Sequence, residues 1–212
     1  MKIIIDFILN NPFLVALIIF IILLNLKTRK PKNYSDNEES FWETEAKANS
    51  TRKKDLSNLH YITIPEKSLP FIETNDEIII LCHKNIRNLM PKKIVNLTGY
   101  TNTELKLQYG AANLPALAEY DSNFTELCQI LNKWGTRLLE LNFTNEARTV
   151  FEYAVSIMSD ISSTYKLLGS IYMENKNPGK IDDLINTAQQ LNSLSKPIII
   201  RYLNELKDSS VG

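Results

Sequence analysis

The chain has 212 residues, 24 of them basic and 24 acidic, with two histidines, two cysteines and only six glycines. Zero net charge gives no electrostatic footprint for nucleic acid, two cysteines make no disulfide framework, and so few glycines argue against a turn-rich β architecture. The class that remains is mainly α, with room for one sizeable core.

In chain order, residues 3–26 are almost wholly apolar, interrupted by Asp6, Asn10, Asn11, Pro12 and Asn25. As a helix this run reaches about 36 Å, enough to span a bilayer, with a modest kink at Pro12. Basic residues follow the run instead of preceding it, and no small-x-small site stands before Lys27, so a transmembrane helix over 1–26 is expected, not a cleaved signal peptide. Lys27, Arg29, Lys30 and Lys32 are the expected membrane-interface residues. They place the N-terminus outside the cell membrane and the rest of the chain in the cytoplasm, with the lipid bilayer as a partner. Residues 1–32 carry +4 and the remainder −4.

Ser35-x-x-Glu38 has the spacing of a capping box, and acidic residues then precede basic ones up to Lys54, which complements a helix dipole. Residues 36–57 are therefore predicted as a solvated helical stalk, completing a juxtamembrane region over 27–57. Phe41 and Trp42 are its exceptions, suited to the bilayer interface or to packing. Tyr61, Ile62, Ile64, Leu69 and Phe71 are too apolar for a free linker, while Pro65 and Pro70 forbid a continuous helix. This segment should run extended against the helical domain. Thr74-x-x-Glu77 predicts a capped helix from Glu77 to Met90, although Ile78-Ile79-Ile80 also suits a short strand. Thr101-x-x-Glu104 predicts one more short helix, between Gly99 and Gly110. Residues 58–113 are thus an extended segment plus short helices, packed on a helical domain over 114–208.

Within that domain one pattern is written twice. Leu131, Trp134, Gly135, Leu138, Ala147, Phe151 and Ala154 are followed, thirty-four positions on, by Tyr165, Leu168, Gly169, Tyr172, Ile181, Ile185 and Ala188. The spacing resembles the tetratricopeptide repeat (TPR), in which paired antiparallel helices meet across small residues. The resemblance implies two helical hairpins over 128–195 and a protein or peptide partner. Each glycine is expected to face the second helix of its own hairpin. Two departures stand out: Ile181 replaces a small residue, and Asn177-Pro178-Gly179 predicts a sharper connection than Asn142-Phe143-Thr144. A last helix from Pro197 through Lys207, with Ile198, Ile199, Tyr202, Leu203 and Leu206 on its apolar face, should cap the open end. The 92–114 stretch and the TRKKDLSNLHYITIP run are similar to those of membrane-anchored bacterial proteins with a TPR-like C-terminal region.

No residues assemble a catalytic, cofactor or metal motif. His83 beside Cys82 lacks metal-ligand spacing, Asp182-Asp183 suit a helix start, and Gly99 and Gly110 lie in no phosphate-binding loop. The Asn-x-Ser/Thr triplets at Asn33, Asn49, Asn96, Asn123 and Asn142 are read as chance matches in an Asn-rich chain. The expectation is a membrane-anchored scaffold without nucleic acid, metal or cofactor. Two alternatives are a membrane-bound enzyme using Tyr100, Glu104 and Tyr109 of the 92–114 loop, and a self-associating structural subunit.

Overall fold

The computed structural model describes residues 15, 17, 20, 21, 32–177 and 179–209. Among them are eight α-helices, two short 3-10 turns and no strand, so the fold is mainly α. The chain divides into a unit over residues 1–50 and a second over residues 51–212.

In the first unit, Val15, Leu17, Phe20 and Ile21 are helical, and Leu17, Phe20 and Ile21 are exposed. The rest of the expected transmembrane stretch, with Lys27, Arg29 and Lys30, lies outside the described residues. No described helix is long and apolar enough to cross a membrane. Helix α1 spans Lys32–Ser50. It begins three residues ahead of Ser35, which is therefore not its cap, and it stops well short of residue 57. Phe41 and Trp42 are exposed on it, their rings meeting edge to face at 5.4 Å.

The second unit opens with the reason the predicted stalk is shorter than its composition suggested. Thr51 O accepts from Ala111 N, Lys54 N donates to Tyr109 O, and Lys54 O accepts the Asn113 amide at 2.7 Å. These bonds commit backbone groups that a continuing helix would need. The segment that follows turns once at Glu66–Ser68 and inserts Ile64 and Leu69 into the main core. Helix α2 (Glu77–Leu89) is capped by Asp76, whose carboxylate accepts from Ile78 N and Ile79 N. Thr74, the cap expected from spacing, instead receives Asp76 N and so positions the true cap. The triple-isoleucine run is helical, and only Ile79 of the three is buried.

Helix α3 (Asn102–Tyr109) carries the Thr101–Glu104 capping box in full and ends at Gly110. Gly110 has φ +90°, and a Cβ there would lie 2.2 Å from Arg52 O, so the close approach of the 51–54 segment requires glycine. After the 3-10 turn Ala111–Asn113, helix α4 runs unbroken over Leu114–Glu140 with Pro115 in its first turn. Its N-terminal half, ahead of the repeated pattern, closes a small second core with Val95, Leu97, Leu105 and Leu117. Its C-terminal half belongs to the main core.

Four helices complete the unit: α5 (Thr144–Ser156), α6 (Ser162–Glu174), α7 (Gly179–Gln189) and α8 (Lys196–Asp208). Neighbours in sequence pack together, α2 lies on α4, and α8 packs on both α6 and α7. Trp134, Tyr165 and Phe151 are the largest fully buried side chains. Burying a side chain of this size contributes about 1.5 to 3 kcal/mol relative to leaving it in water.

The turns after α4 and α6 share one hydrogen-bond pattern. Leu141 N, Asn142 N and Phe143 N donate to Arg137 O, Leu139 O and Leu138 O; Asn175 N, Lys176 N and Asn177 N donate to Ile171 O, Met173 O and Tyr172 O. Each donor and acceptor is shifted by thirty-four. Asn142 and Lys176, at φ 64° and 52°, supply the left-handed residue that such helix ends use. The connection at Asn177 is therefore no sharper, up to that residue, than the one at Asn142.

Candidate functional site

Every member of the repeated set is buried: Leu131, Trp134, Gly135, Leu138, Ala147, Phe151 and Ala154, and then Tyr165, Leu168, Gly169, Tyr172, Ile181, Ile185 and Ala188. These residues build the scaffold, and of them Leu168 and Tyr172 also line a surface groove. Gly135 faces Phe151 of its hairpin partner α5, where an added Cβ would lie 2.4 Å from the ring. Gly169 departs from the expectation. A Cβ there would meet Leu206 at 2.9 Å and Leu203 at 3.2 Å, both on α8. Ile185 occupies the place that Phe151 takes in the first hairpin, and its shorter side chain leaves that space to α8.

The helices α4, α6 and α8 are linked along one side at matching positions. Asn132 Nδ2 donates to Ser163 Oγ and Thr164 Oγ1 at 2.9 and 3.0 Å, joining α4 to α6. Lys166, thirty-four residues on, places its ammonium 5.1 Å from the Tyr202 ring centroid, joining α6 to α8. Of the predicted apolar face of α8, Ile199 and Leu203 are fully buried and Ile198 is half exposed.

On the opposite flank, α5, α6 and α7 enclose an open groove of about 330 Å³. Val155, Leu168, Leu184 and Met158 supply apolar surface, while Glu152, Tyr172, Lys180 and Asp183 supply polar groups. Tyr172 Oη donates to Glu152 Oε1 at 2.8 Å. Burial, and then the neighbouring Glu152 carboxylate, raises the pKa of the Tyr172 hydroxyl well above its usual range, so it acts there as a donor and not a base. Arg148 and Lys180 pair with Glu152 and Asp183 at 4.0 and 3.6 Å on exposed helix faces. Such exposed pairs are weak and open to exchange with a ligand's own charges. The groove thus has an apolar floor with hydrogen-bonding groups at its edge.

The other residues singled out from sequence have local roles. Glu104 accepts from both Thr101 N and Thr101 Oγ1, Tyr109 Oη receives the Gln108 amide, and Tyr100 is exposed. The Glu104 carboxylate is engaged as a helix cap, and its pKa lies below the usual range through those bonds. His83 is buried between Phe71 and Trp134, each ring centroid 4.9 Å away, and desolvation followed by nearby Arg87 holds its pKa below 6.5. Cys82 and Cys128 are buried free thiols, and burial pushes the Cys128 thiol up to about 12. Among the described residues no group of three His, Cys, Asp or Glu side chains is placed to hold a metal.

Spacing alone did not point to the Tyr172–Glu152 bond, because its members lie on different helices of different hairpins. Asn96 and Asn123 have structural roles that their triplets do not signal, and Asn113 shares this: their amides bond Met158 O, Lys93 O and Tyr109 O respectively. An Asn-rich sequence hides such positions, since the buried ones look like the exposed ones. No protein-family model, curated protein or solved structure matches this chain.

Proposed function

We propose that the chain is a single-pass membrane protein that presents a TPR-like helical domain in the cytoplasm as a binding scaffold for a segment of another protein. The recurrence of one turn pattern at thirty-four residues, with all fourteen matching side chains buried, carries the repeat part of this reading. Stacked hairpins leave grooves between neighbouring units, and the one between α5 and α7 has the mixed surface that a peptide side chain needs. The apolar run over 3–26, whose described members Leu17, Phe20 and Ile21 are exposed, supports the anchor. Tethering of this kind raises the concentration of the domain near other membrane proteins.

The test is capture of partners by the full chain in detergent, compared with a Ser156→Trp variant that fills the groove from an exposed position. A protein captured by the native chain and lost with the variant, at unchanged thermal stability, is the expected result. Identical captures from both would remove the groove from the reading. The topology is tested with single-cysteine variants at Lys32 in intact cells, which should resist an impermeant thiol reagent; labelling equal to an external control would reverse the orientation.

A further inference from the structure

The densest cationic feature of the helical unit lies where the unit begins. Lys53 and Lys54 line a groove of about 490 Å³ together with Lys93, and their sequence neighbours Arg52 and Lys92 are exposed. We propose that this patch is a docking surface for the anionic headgroups of a lipid bilayer, a second contact besides the membrane anchor on whose reading it rests.

The patch is held rigidly. Lys54 is clamped through its backbone by Tyr109 O and the Asn113 amide, and its ammonium donates to Leu107 O at 3.3 Å, which leaves its charge uncompensated by any carboxylate. The Lys93 ammonium lies 5.5 and 5.6 Å from the ring centroids of Tyr61 and Tyr120, which meet each other edge to face. Aromatic faces hold this cation without neutralising it. Asp55 is the one carboxylate lining the groove, and both its oxygens are engaged by Ser57. The ion pairs of Arg87, Arg137, Arg148, Lys180, Arg201 and Lys207 involve none of Arg52, Lys53, Lys54, Lys92 or Lys93. Lys53, Lys54 and Lys93 therefore share one groove, with exposed Arg52 and Lys92 next to them in sequence, in a part of the chain whose net charge is −4.

Two observations favour a lipid surface over nucleic acid. Tyr61 and Tyr120 are half-buried and meet edge to face with Lys93 over both rings, which occupies ring surface that a stacking base would need. The patch also begins two residues beyond α1, which itself follows the basic Lys27–Lys32 cluster. Each Lys or Arg near an anionic surface is worth about a fivefold gain in occupancy at ordinary salt.

The experiment uses the full chain in lipid nanodiscs, with a fluorophore on Asn58→Cys, an exposed position beside the patch; buried Cys82 and Cys128 stay unlabelled. Headgroup-bound nitroxide reports proximity by quenching. In discs containing about a third phosphatidylglycerol, the fraction of domains quenched, set against the free fraction, should be about tenfold higher than in phosphatidylcholine alone. Lys53→Glu/Lys92→Glu, at two exposed sites, should return it to the neutral-disc level without changing the melting temperature. Equal quenching in both disc types, an unaffected double variant, or release of the native domain by a single-stranded RNA oligonucleotide would each overturn the proposal. Failure of the chain to remain with neutral discs would instead refute the anchor, so the two outcomes are separable.

Discussion

The two hairpins place the same residues at the same offsets yet close in different ways. In the first, Phe151 reaches across to Gly135 and fills the gap between α4 and α5 from within the pair. In the second, Ile185 stands at the Phe151 offset, and the space at Gly169 is filled from outside by Leu203 and Leu206 of α8. A hairpin with an aromatic on its second helix is self-sufficient at that contact, whereas one with a shorter aliphatic depends on the next element. The C-terminal helix is thus part of the packing between α6 and α7.

The largest expected effect comes from removing the internal plug. Phe151→Ala should cost about 3 to 5 kcal/mol, because the fully buried ring leaves a cavity that the rigid glycine opposite cannot fill. Urea denaturation followed by the near-ultraviolet signal of buried Trp134 measures this, and a loss below about 1 kcal/mol would mean that the hairpin does not depend on Phe151. Next in size is Gly135→Ala, which pushes a methyl to 2.4 Å from the same ring and should destabilise by about 1 to 3 kcal/mol despite the helix preference of alanine. Gly169→Ala should stay within about 1 kcal/mol of native. Its nearest neighbours are the free ends of two leucines, and the propensity gain of about 0.5 to 1 kcal/mol offsets their small shift. Equal effects at both glycines would erase the contrast between the hairpins.

The smallest effect expected is a pH dependence confined to the α4 end, where His83 packs on Trp134. Its pKa in the folded state lies below 6.5, so as pH falls the unfolded chain takes up the proton first. The stability associated with neutral His83 is present above pH 6.5 and declines below it. His83→Gln should flatten the denaturation midpoint between about pH 6.5 and 5, and an unchanged slope in the variant would assign the dependence elsewhere. A separate loss at lower pH belongs to Asp76, whose pKa is depressed first by Arg137 at 2.7 Å and then by the α2 amides it caps. That contribution disappears as pH falls below the usual carboxylate range.

Features whose cause is local were legible in the sequence. The Thr101–Glu104 box, the helix end at Gly110, and Pro197 in the first turn of α8 all follow from a few neighbouring residues. Capping at α2 was misplaced by two residues because Thr74 and Asp76 are both competent caps, and the choice depends on Arg137, sixty-one residues away, holding Asp76. The stalk was overextended for a similar reason. Residues 51–57 have helix-compatible composition, but the backbone groups of Thr51 and Lys54 bond to the 109–113 turn. The groove and the cationic patch were not legible, since each joins side chains from three or more separated segments.

The sequence by itself determined the mainly helical class and the thirty-four-residue spacing of buried positions. Both arise from periodicity, and a 3.6-residue turn converts spacing directly into a face. Tertiary structure alone decided which neighbour each small residue would meet. Gly135 and Gly169 are the same residue at the same offset, and what fills the space before them depends on the length of a side chain on another helix and on the arrival of α8. Contacts of that kind are set by the shape of the space left after helices pack, which no single segment encodes.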